Sequence, residues 1–101
     1  MTTIEQYESM FLEWASARSL LQPDNDYKQC LKLFEEGGET AKAILKNNQD
    51  AVVDGIGDCL VVLTILAAQR GLNLETCFAV AWAEIKDRKG QTVKGTFIKQ
   101  Q

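Results

Sequence analysis

The sequence contains no histidine. Its absence removes Ser-His-Asp triads, most zinc hydrolase sites and the Glu-x-x-His ligands of di-iron bundles. Cysteine is sparse: Cys30, Cys59 and Cys77 are odd in number, lack C-x-x-C spacing and sit among apolar residues. That pattern argues against a disulfide framework or a zinc site and predicts buried, reduced thiols. Basic residues are outnumbered, 11 Lys and Arg against 14 Asp and Glu for a formal charge of -3. Such a chain has no general attraction for nucleic-acid phosphates. The longest apolar run, Cys59 to Ala68, is half a membrane span, and Met1 to Glu5 lack the basic and apolar regions of a signal peptide. A cytoplasmic protein with no nucleic-acid partner and no membrane is expected. There is no repeat, linker or low-complexity segment, so residues 1–101 read as one domain of ordinary globular composition. Any chemistry must come from carboxylates, amines and a hard metal ion.

What is present is helical periodicity. Ile4, Tyr7, Phe11 and Trp14 recur at spacings of three and four and predict a first helix from about Thr3 to Leu20. Gln22 to Asp26 reads as a break, with Asp24 to Asp26 offering the next N-cap. A second helix follows to about Lys46, with a stripe of Tyr27, Cys30, Leu31, Phe34, Ala41 and Leu45. Gly37-Gly38 interrupts it, at about 1 kcal/mol per glycine relative to alanine. A third helix is expected from about Asp50 to Arg70, apolar on every side from Cys59 to Ala68, as a helix central to a core or an interface is. Asn73 caps a fourth, whose Leu74, Cys77, Phe78, Ala81, Trp82 and Ile85 are expected to face inward, up to Gly90. Weak alternation in Gln91 to Gln101 predicts an extended arm or short hairpin about Gly95. The fold class is all-α, a four-helix bundle with a short C-terminal arm. Four short helices cannot cover the third from every side, so a homodimer or homotetramer is expected.

Five acids crowd the middle of the chain. At about 100° per residue, Glu35, Glu36 and Glu39 share one shoulder of the second helix. On the third, Asp54 and Asp58 lie one turn apart on a line that continues through Val61 and Ile65 and predicts that both point inward. Like charges at this spacing repel, and a half-buried carboxylate without a partner costs more. A solvated acidic face is the ordinary reading of the second helix alone. Asp54 and Asp58 tip the balance to a cation, because the nearby Lys32 and Lys42 are placed as solvated flanks. All-oxygen ligation without His or Cys selects Mg²⁺, or Mn²⁺, over zinc.

The stretches Lys32 to Glu39 (KLFEEGGE), Asp54 to Leu60 (DGIGDCL), Ile85 to Gly90 (IKDRKG) and Gly95 to Lys99 (GTFIK) resemble the MazG-like branch of the all-α nucleoside triphosphate pyrophosphohydrolases, over roughly residues 28 to 99. The resemblance implies Mg²⁺ held by an E-x-x-E pair and an E-x-x-D pair, hence Glu36, Glu39 and Asp58 here, with Glu35 beside them. It also implies hydrolysis of a nucleoside triphosphate to monophosphate and pyrophosphate, with Glu36 or Glu39 orienting water or accepting its proton, in nucleotide clean-up. The chain departs from the pattern at Gly55, where the second pair would begin with an acid; Asp54 is the nearest replacement. Lys86, and with it Arg88, is a candidate for binding phosphates, against the plainer role of helix C-terminal cations. Trp14 is a candidate for stacking on a base, against the plainer role of core aromatic. The rival readings are a non-catalytic helical interaction module that kept the fold, and a nucleotide-binding sensor.

Overall fold

The computed structural model describes residues 1–101. Four helices are followed by a small sheet: α1 (Ile4–Ser16), a 3₁₀ turn (Pro23–Asn25), α2 (Asp26–Leu45), α3 (Gln49–Gln69), α4 (Leu74–Ile85), and strands β1 (Gly90–Val93) and β2 (Thr96–Lys99). Each helix has a local cause. Thr3 and Gln6 form a capping box before α1, and the side chains of Asn48 and Asn73 accept the N–H groups of Ala51 and Thr76 at the starts of α3 and α4. α1 stops at Ser16, short of Leu20, because Ser19 turns to φ 57° and the Leu20 N–H returns to the Ala15 carbonyl. α2 begins without a side-chain cap; Asp26, expected among the capping residues, is instead bonded to Arg70 at 3.0 Å. α2 also runs unbroken through Gly37 and Gly38, which face open space.

α2 and α3 form an antiparallel hairpin, and α1 lies along α3. The seam of the hairpin is made by Leu33, Glu36, Thr40 and Ala43 on α2 and by Gly55, Val62, Ile65 and Gln69 on α3, spaced at three, four and seven. The stripe expected on α2 is therefore turned outward: Tyr27, Leu31, Phe34 and Leu45 are exposed. On α1 the residues toward α3 are Phe11, Leu12 and the fully buried Ala15, while Ile4, Tyr7 and Trp14 flank the contact and stay exposed. Gln69 reaches from α3 to donate to the Leu20 carbonyl at 2.8 Å and ties down the end of α1.

α4 differs most from expectation. Its start is held by Glu8, whose carboxylate accepts the Leu74 N–H at 2.9 Å, but no residue of α4 is buried and Phe78, Trp82 and Ile85 face water. Of the inward face read from periodicity, Leu74 and Phe78 line a cleft with Ile4, Tyr7, Phe11 and Leu60, and Cys77, Ala81, Trp82 and Ile85 stay exposed. The same holds for Cys30 and Cys77, which are exposed free thiols, whereas Cys59 is half-buried. The radius of gyration is 15.9 Å, against about 13 Å for a compact domain of this size. β1 and β2 pair antiparallel with Val93 opposite Thr96, across a two-residue turn in which Lys94 and Gly95 both have positive φ, the turn that matches hairpin twist.

α3 has the length and apolarity of a membrane span. Asp58 lies near its middle, where a charge costs about 3 kcal/mol in a bilayer; Val62, Ile65 and Ala67 are buried within the chain, while Val53, Ile56, Leu60 and Leu63 are exposed.

Candidate metal centre

Glu36 is the one acid of the cluster that the fold buries, at 8% exposure. It lies on the seam between α2 and α3, one turn from Thr40. Oε1 lies 3.8 Å from the Lys32 ammonium, too long for a hydrogen bond, and Lys32 is half-exposed. Oε2 is buried with no hydrogen-bond partner. Burial raises the Glu36 pKa above its ordinary 4.5, the negative charges of Glu39 and Asp58 raise it further, Lys32 offsets part of this, and Glu35 adds a smaller upward push. A carboxylate in that position calls for a proton or a cation.

Asp58 is the residue of α3 whose charge reaches Glu36. It lies on the α3 seam line between Gly55 and Val62 but is itself exposed, as is Asp54, so neither aspartate points into the interior of the single chain. The physical reason is the hairpin geometry: with only α2 and α1 against it, α3 keeps an open side. The structure thus brings Glu39, Asp58 and Glu35 near enough for their charges to act on Glu36, and Asp54 is absent from the charges that do so. No three acidic or thiol side chains converge as a preformed metal cage. What fits a divalent cation is the donor chemistry: a buried, unpartnered carboxylate oxygen with exposed acids near it on both helices, all hard oxygen.

Asp58 also rims a cleft of about 490 Å³ whose other walls are Tyr7, Met10, Phe11, Trp14 and Val61. Trp14 lies on this cleft with the Arg18 guanidinium stacked over its ring at 4.3 Å, held there by a 3.0 Å bond from Arg18 Nη1 to the Trp14 carbonyl. Sequence reasoning named Trp14 but missed its neighbours Tyr7, Met10 and Phe11 as cleft residues; the spacing of three and four that marked Tyr7 and Phe11 was read as core alone. Lys86 caps the C-terminus of α4 and Arg88 follows it, both exposed, and neither contributes to the field at Glu36.

A family model described as the MazG nucleotide pyrophosphohydrolase domain matches residues 26–93, which takes in α2, α3, α4 and β1. A protein of Haemophilus phage HP1 (strain HP1c1), named as an uncharacterized 18.2 kDa protein in the rep-hol intergenic region, is 38% identical over 73 residues. The similarity covers 72% of this chain and 45% of the phage protein, so the chain spans about half the length of that relative. No solved structure matches.

Proposed function

The chain belongs to the MazG nucleotide pyrophosphohydrolase domain family, and on that premise we propose that it hydrolyses a nucleoside triphosphate to the monophosphate and pyrophosphate with Mg²⁺ or Mn²⁺ bound. The observation that carries the reading is the buried, unpartnered Oε2 of Glu36 in the field of Glu39 and Asp58. Glu36, Glu39 and Asp58 would hold the ion, with Glu35 and Asp54 flanking it and adding negative charge. When bound, the ion supplies charge withdrawal from the phosphate oxygens and a lowered pKa for water. Glu36 or Glu39 orients a water whose oxygen attacks the α-phosphorus and takes its proton; the bond to the α–β bridging oxygen breaks and pyrophosphate leaves.

The Trp14 cleft is the proposed seat of the base, since it opens beside Asp58 and stacking needs a flat apolar wall. The proposed assembly is a homodimer or a higher homo-oligomer. Only nine residues are buried and α4 is uncovered, and a second copy supplies the missing apolar surface with symmetry. Lys86 and Arg88, remote from the acids within one chain, are candidates to meet phosphates in that assembly. The proposed setting is cytoplasmic nucleotide clean-up.

The test is a panel of ribo- and deoxynucleoside triphosphates assayed for pyrophosphate with Mg²⁺ and with Mn²⁺. Orthophosphate as the sole product, or no product from any of them, overturns the reading and leaves the interaction module or the sensor, which nucleotide-binding measurements then separate.

A further inference from the structure

α2 and α3 meet with no room to spare at Thr40 and Gly55. A Cβ added to Gly55 would overlap the Thr40 hydroxyl oxygen and lie 3.0 Å from its Cβ and 3.2 Å from its Cα. Gly55 is buried. Gly37, Gly38 and Gly57 have nothing within 4 Å of that position, so Gly55 is the helical glycine whose missing side chain the packing uses. The Thr40 side chain is fixed in turn by its hydroxyl, which donates to the Glu36 carbonyl at 2.8 Å.

The location of this contact matters. Thr40 is one turn after Glu36 on α2, and Gly55 is one turn before Asp58 on α3. Glu36 and Asp58, whose charge reaches it across the seam, therefore hang one turn from a backbone-to-side-chain contact that sets the separation of their helices. We propose that Thr40, seated on Gly55, is a positioning residue: it fixes the α2–α3 spacing at which Glu36 and Asp58 share one divalent cation. The inference rests on the metal-binding reading above and goes beyond it in assigning a role to the departure from the acid expected at position 55. An acid there cannot coexist with Thr40 at this spacing. Glycine at 55 is thus one half of a matched pair, whose other half is a threonine that bonds the backbone of the ligand residue.

The experiment is a Mn²⁺ titration of the folded protein at low temperature, following free Mn²⁺ by electron paramagnetic resonance, for wild type, Thr40→Ser, Thr40→Ala, Gly55→Ala and the double variant Thr40→Ala/Gly55→Ala, each with a metal-free melting curve. Gly55→Ala pushes the helices apart and Thr40→Ala leaves a gap; each is expected to weaken Mn²⁺ binding about tenfold, the usual scale for partners that orient metal ligands. The double variant removes the Thr40 hydroxyl that the added Cβ overlaps while keeping the 3.0 and 3.2 Å contacts to the Cβ and Cα of position 40, and its affinity is expected to exceed that of Gly55→Ala. Thr40→Ser keeps the hydroxyl and should match wild type. Metal-free spectra of wild type should show nuclear Overhauser contacts between the Thr40 methyl and the Gly55 α-protons. Single variants that remain folded and bind Mn²⁺ like wild type overturn the proposal, even if they melt earlier, since that is what a purely structural contact predicts. Should Gly55→Ala not fold, Thr40→Ala and the double variant decide it by the same comparison. Failure of wild type itself to bind Mn²⁺ removes the metal site and this role together, a pattern distinct from equal binding by all variants.

Discussion

Trp14 on α1 and Asp58 on α3 line one cleft, which places an aromatic face and a carboxylate of the acid cluster within the reach of a single nucleotide. Base stacking on an aromatic is worth about 1–3 kcal/mol. Trp14→Ala is expected to raise KM about tenfold or more with kcat largely kept, and Trp14→Phe to restore most of it. Steady-state kinetics on the best substrate of the panel checks this; a loss confined to kcat would remove Trp14 from the base site.

Glu36 gives a stability profile with a definite sign. Its pKa in the folded protein is raised above 4.5 by burial and by Glu39 and Asp58, so the folded state binds the proton more tightly than the unfolded one. The stabilisation from its protonated form is fully present below pH 4.5 and is lost as pH rises through the folded pKa. Metal-free wild type should therefore melt at progressively lower temperature across that window. In Glu36→Gln the slope should flatten, with a higher metal-free Tm at pH 7 and no Mg²⁺-induced gain. Melting curves at half-unit pH steps, with chelator and with Mg²⁺, provide the measurement.

The two aspartates of α3 should separate in the same assay. Asp58 acts on Glu36 and Asp54 does not, so Asp58→Asn is expected to abolish the Mg²⁺-induced shift in Tm and Asp54→Asn to reduce it only in part. An equal Mg²⁺-induced shift in wild type and Asp54→Asn takes Asp54 out of the site altogether.

α4 predicts the assembly. Light scattering at micromolar concentration should give at least twice the 11.3 kDa chain mass, and Phe78→Glu or Trp82→Glu, placed on the exposed face of α4, should yield monomer and lower Tm by several degrees through lost association. An 11.3 kDa wild-type species would refute the pairing.

Much of the fold is legible in the sequence. Period fixed α3 to within a residue and the Asn73 cap fixed the start of α4, because both signals act on near neighbours, but α4 stops at Ile85 and does not run up to Gly90. The hairpin about Gly95 followed from turn chemistry in the same local way. The all-α fold and the family were carried by KLFEEGGE and DGIGDCL. What period could not show is which of two apolar stripes on α2 meets α3. Thr40 and Ala43 lost to Tyr27, Leu31 and Phe34 on hydrophobicity, yet small residues win at a close crossing, and that choice is what buried Glu36. The same blindness put Asp54 and Asp58 inside and overlooked Thr40, whose role depends on a glycine in another helix.

Nine buried residues among 101 bear on the protein's lifetime as well as its site. A single copy shows Phe34, Leu45, Phe78 and Trp82 to water, the surface by which quality-control proteases recognise unfinished chains. On the paired reading, that surface disappears when two copies meet, so scarce protein is degraded and abundant protein persists. Active enzyme would then rise more steeply than its synthesis, a threshold set by dosage and written into α4, and pulse-chase half-lives at two expression levels would display it.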